Sequence, residues 1–170
     1  MARILVLLLA VSFMSCSESS DGFVDPNIKT GLGSFVVEID DNDWSATTGF
    51  VNASISKNDS VSTALVTSVK NLTVSDTEGF GVSFSNILSG NPSLEDTYQL
   101  DGTTVATIVF IRSISDNDVT YNAISGELKI TEVSSSNVKG TFNAVLQNQE
   151  DENDTLNMTG GAFNAAITTR

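Results

Sequence analysis

From Phe35 onward, the apolar residues of this chain return at every second position, and they do so in one short run after another. Phe35, Val37 and Ile39 alternate with Val36, Glu38 and Asp40, the period of a strand with one covered face. Val51, Ala53 and Ile55 form a second run, Leu65, Thr67 and Val69 a third, and Leu72 with Val74 a short fourth. Phe80, Val82 and Phe84 follow, then Leu128 with Ile130, Phe142-x-Ala144-x-Leu146, Leu156-x-Met158 and Phe163-x-Ala165-x-Ile167. Between Val105 and Ile111 the apolar residues are almost continuous, which predicts a central strand covered on both faces. Clusters of Asn, Asp, Ser and Gly separate the runs, so an all-β domain is expected: a single antiparallel β-sandwich or flattened barrel. No long amphipathic helix competes. Only Pro92-Ser93-Leu94-Glu95 carries a helix N-terminus signal, enough for one turn.

Two late segments echo each other, Gly140-Thr-Phe-Asn-Ala-Val-Leu146 and Gly161-Ala-Phe-Asn-Ala-Ala-Ile167. Two copies do not make a repeat architecture. They read as two strands meeting the same packing problem, with Phe and Ala inward and Asn outward.

The domain is preceded by a different kind of sequence. Arg3, the apolar run Ile4 to Val11 and then Phe13-Met14-Ser15-Cys16 have the charged start, short apolar middle and small-residue exit of an export segment. The apolar run is well short of the roughly 20 residues that span a bilayer. Residues 1–15 are therefore expected to be a cleaved lipoprotein signal peptide. Cys16, the only cysteine, follows a pattern that resembles the bacterial lipobox. That resemblance implies a diacylglycerol thioether and an acylated, palmitate-type N-terminus, and two or more acyl chains hold a bilayer durably. Residues 16–33, rich in Ser, Asp and Gly, read as a flexible tether of roughly 20 to 25 Å, leaving 34–170 as the domain. The start Ser17-Glu18-Ser19-Ser20-Asp21 resembles the acidic export signal of Bacteroidota surface lipoproteins.

Charge and residue choice narrow the chemistry. With 21 Asp and Glu against 8 Lys and Arg the formal net charge is −13, which excludes nucleic acid as a partner, since phosphate binding needs basic clusters. There is no histidine, and the one cysteine belongs to the anchor. Ser-His-Asp and Cys-His nucleophiles and the usual zinc ligand sets are thereby excluded. The acids gather at expected turns: Asp40, Asp41 and Asp43; Asp116 and Asp118; and Glu150 to Asp154. None fits the calcium-loop spacing, because the run from Asp116 lacks a glycine at its sixth position. No metal, cofactor or catalytic residue is assigned. Trp44, the only tryptophan, is the candidate ligand contact, as a platform for a sugar; its other reading is a core plug beside the first hairpin.

The segment Ile39-Asp40-Asp41-Asn42-Asp43-Trp44-Ser45-Ala46 resembles the I-D-G-x-x-W-x-A hairpin of a family of small Bacteroidota lipoproteins built on a domain of unknown function. Thr97-Tyr98-Gln99-Leu100, Gly126 to Glu132, Lys139 to Phe142 and Asn157 to Phe163 resemble that family's further strands in order. Asp41 stands where the family has glycine, and Asp41 and Asn42 both tolerate the left-handed backbone of a tight turn. The resemblance implies fold and location and brings no activity. The expectation is a monomeric, non-enzymatic envelope lipoprotein on the outer membrane, held by acylated Cys16 at the periplasmic face or cell surface and binding a protein or glycan. The alternatives are a carrier with a cavity inside a barrel that resembles calycins in outline, and a carboxylate-based hydrolase.

Overall fold

The computed structural model describes residues 31–73, 75–87, 93–102, 105–115 and 117–168. The expected signal segment, Cys16, most of the expected tether, Val74, Pro92 and Asp116 lie outside the described residues. The protein is all-β. Ten strands run in chain order: β1 (Ser34–Ile39), β2 (Asn42–Ser45), β3 (Val51–Lys57), β4 (Ser62–Asn71), β5 (Thr77–Asn86), β6 (Thr97–Gln99), β7 (Ala106–Ile114), β8 (Asn117–Val133), β9 (Asn137–Asn148) and β10 (Thr155–Ile167). Among the described residues there is no helix.

The ladder closes on itself. β3, β4, β5, β7, β8, β9 and β10 pair in succession, and Ala166 of β10 pairs with Asn137 of β9 on one edge and Asn52 of β3 on the other. A closed ladder is a barrel, which leaves no long sheet edge open. The wall between β10 and β4 has two tiers. Lower down, β3 joins β10 in a short parallel contact, while nearer the start of β10 the β1–β2 hairpin takes its place. β8 is shared in the same way, pairing β7 with its first half and β6 with its second.

The interior is filled by alternate side chains of these strands. Phe35 stacks on Phe80 at 5.0 Å and on Phe163 at 5.8 Å, and Phe80 meets Phe110 at 4.7 Å. All four rings are buried. The echoed segments explain each other: Phe142 stands opposite Gly161, and Phe163 opposite Gly140. A Cβ on Gly161 would lie 2.5 Å from the Phe142 ring, and one on Gly140 would lie 2.6 Å from Phe163. Each glycine makes the space that the other segment's phenylalanine occupies.

Several sequence expectations are corrected. β4 faces the opposite way: Ala64 and Val66 are buried, whereas Leu65 is 43% exposed. Both faces of β4 are comparably apolar, and pairing to β5, whose phenylalanines must point inward, decides between them. Residues 105–111 are not covered on both sides, since Ile108 and Phe110 are buried but Val105 and Ile111 face solvent. Ser93–Glu95 is not helical; Leu94 is instead buried, and its carbonyl accepts the Tyr98 hydroxyl at 3.0 Å. Leu72 lies in a turn with 41% of its surface exposed. Asn164 is buried and bonded by Asn137 at 3.0 Å, not outward in water.

Candidate functional site

Strand directions sort the loops. Chain alternation places the β1–β2, β4–β5, β7–β8 and β9–β10 connections at one end of the barrel, and the start of β1 with the end of β10 toward the other. The first end thus collects the acidic turns, with Asp40, Asp41, Asp43, Asp118 and residues 150–154.

At this end the first hairpin turns through Asp40 and Asp41, whose φ values are 47° and 63°. The left-handed pair is therefore Asp40–Asp41, one residue earlier than the sequence suggests, and two such residues are what a tight hairpin of matching twist needs. Asp40 also fixes the tip to β10, its carboxylate accepting the Asn157 amide N–H at 2.9 Å. The turn delivers Trp44 on β2 to the inner face. Trp44 is 4% exposed, edge-on to Phe35 at 5.8 Å and to Phe80 at 4.8 Å. Such burial leaves no ring face for a sugar to stack upon.

What the sequence does not signal is the partner of that indole. Trp44 donates its N–H to Glu78 Oε2 at 2.9 Å, and Arg112 Nε donates to Glu78 Oε1 at 2.7 Å. Lys70, Glu78 and Arg112 occupy one row across β4, β5 and β7. Residues 34 apart in sequence meet here only through the register, so no local motif could have found them. Lys70 places its ammonium 5.9 Å from the Trp44 ring centroid, within cation–π range. The two ion pairs of the described residues, Arg112–Glu78 and Lys139–Glu132, leave Lys70 without a carboxylate partner.

These side chains line an open pocket of about 270 Å³ together with Ile39, Asp40, Asn42, Asp43 and Leu156. Next to it, Asp154 accepts from Asn148 and from the Tyr121 hydroxyl, each at 2.8 Å. The Asn148 amide, then Tyr121, hold the Asp154 carboxyl below its ordinary value. Burial, then the bond to Asp154, pushes the Tyr121 hydroxyl up. Ser115 and Thr73 likewise hold Asp76 low.

The arrangement can dock a small polar group between charges of both signs. Both Glu78 oxygens are engaged by donors, and the Asp154 carboxyl is held in the anionic direction. Among the described residues no three carboxylates converge at a metal's reach. Cys16, the lipidation site expected from the sequence, lies outside the described residues. No protein-family model matches the chain, and comparisons with curated proteins and with solved structures return no match.

Proposed function

We propose that the protein is a lipid-anchored, non-enzymatic module of the cell envelope that presents the charged end of its barrel to a partner outside the membrane. The observation that carries this reading is the direction of β1: from Ser34 it runs toward the end of the barrel at which the pocket lined by Trp44, Lys70, Glu78 and Arg112 opens. An anchor at Cys16 on a tether of residues 16–33 puts the pocket on the side away from the lipid. A filled interior supports a binding surface over an internal carrier.

Cys16→Ser tests the anchor. The variant should leave the membrane fraction or accumulate as an uncleaved precursor, and retention after a carbonate wash would overturn the reading. A glycan and peptide array probed with the full chain tests the pocket. Binding that Lys70→Ala abolishes supports this end as the working surface; binding that survives both Lys70→Ala and Asp43→Ala overturns it.

A further inference from the structure

The barrel carries a side wall on which the charge of the molecule disappears. Within β4, β5 and β7 the charged residues are Lys70, Glu78 and Arg112, and all three stand on the inward-facing positions of one row. Every outward position of these strands is uncharged, in a chain whose formal net charge is −13. Large apolar side chains stand out from this wall, with Leu65 43% and Ile111 45% exposed.

The wall is also shaped. β4 presents a ridge of Leu65, Thr67 and Val69, and beside it β5 presents a furrow of Gly79, Gly81 and Ser83. Ridge and furrow are in step, since Val69 pairs with Gly79, Thr67 with Gly81 and Leu65 with Ser83. At Gly81 an added Cβ would meet nothing within 4 Å, so the furrow is open.

We infer that this wall is the contact between two copies of the chain. A two-fold axis parallel to the strands, passing between β4 and β5, keeps height unchanged and exchanges left for right. It lays Val69 of each copy over Gly79 of the other and Thr67 over Gly81, an isologous and self-closing contact. Charge selects the same face, because two strongly acidic molecules approach at least cost where neither presents a carboxylate. Because the axis runs along the strands, β4 of both copies points the same way. The pairing itself does not depend on the anchor, and it departs from the monomer that the sequence alone suggests.

The test is the molar mass of the full chain in detergent, by light scattering, at about 100 μM, where interfaces of micromolar affinity are occupied. The expected result is twice the chain mass for the wild type and for Thr155→Glu, a charge added on β10, an exposed position away from this wall. Gly81→Glu and Thr67→Glu should each return the mass of one chain with an unchanged far-ultraviolet spectrum. A wild type that remains single, including one that binds a neutral glycan on this wall instead, overturns the proposal. So does a Gly81→Glu variant that stays paired, which would show chains merely sharing a micelle. Pairing that persists in Cys16→Ser supports a contact made by the wall itself, whatever the outcome of the membrane-fraction test of the anchor.

Discussion

Glu78 is a carboxylate withdrawn from water, only 7% exposed. Such burial costs several kcal/mol unless donors replace the lost solvent. Arg112 and the Trp44 indole supply them, and in doing so join β2 to β5 and β5 to β7. Trp44 therefore serves as both a packing element and a cross-link. Trp44→Ala should cost about 3 to 5 kcal/mol in urea unfolding, and a loss below about 1 kcal/mol would contradict its place in the core. Tyr98 offers a second readout. Burial, then the nearby Asp96 charge, raises its hydroxyl from 10.0 to about 12. The folded state thus holds a proton that the unfolded state releases first, so this contribution is complete below pH 10.0 and is lost as pH rises toward about 12. Tyr98→Phe should flatten the fall in urea midpoint across that interval. An equally steep fall in the variant would assign it to other groups.

The β9–β10 pair shows how two elements can share one solution. Gly140 and Gly161 have Phe163 and Phe142 opposite them, and neither glycine has room for a methyl group. Gly161→Ala should cost about 1 to 3 kcal/mol by overpacking. Phe142→Leu, which empties part of the space, should then cost less beside Gly161→Ala than alone; additive costs in this double-mutant cycle would deny the direct contact. At this scale much of the fold was legible. β1, β5, β9 and β10 declare their inner faces through phenylalanine in step with other apolar residues at alternate positions, and turn residues mark their ends. β4 was not legible, because Ala64 and Val66 compete with Leu65 and Val69 and only the neighbouring strand decides. The first half of β8 was also obscure, its inward Tyr121 and Ala123 being followed by an exposed Ile124 and a register shift before Leu128 and Ile130. Trp44 stood out as a lone large aromatic after a hairpin signal. Glu78 and Arg112 did not, since their meeting requires the register of β5 on β7.

In the whole molecule, closure waits for the last strand, because β10 alone joins β9 to β1 and β3. Contacts between the two ends of the chain carry a large loop-closure cost, and slow folding is expected. The same topology crowds acidic turns at one end, where Lys70 and Arg112 are the cations that line the pocket. Added salt should therefore raise the melting temperature by screening. Millimolar Ca²⁺ should do no more than a monovalent salt of equal ionic strength, and a calcium-specific rise abolished by EDTA would reveal a metal site, since a ligand bound only by the folded state adds about 2.7 kcal/mol at one hundred times its Kd. The placement of β1 has a mechanical side. β1 runs lengthwise from Ser34, flanked by β10 on one edge and β2 on the other, and ladder hydrogen bonds lie across the strand. Tension arriving through the chain before Ser34 is directed along that axis and loads the bonds together, in shear, whereas a sideways pull would open them one after another. Under the proposed anchor at Cys16, drag on the far end would load β1 in this tougher direction.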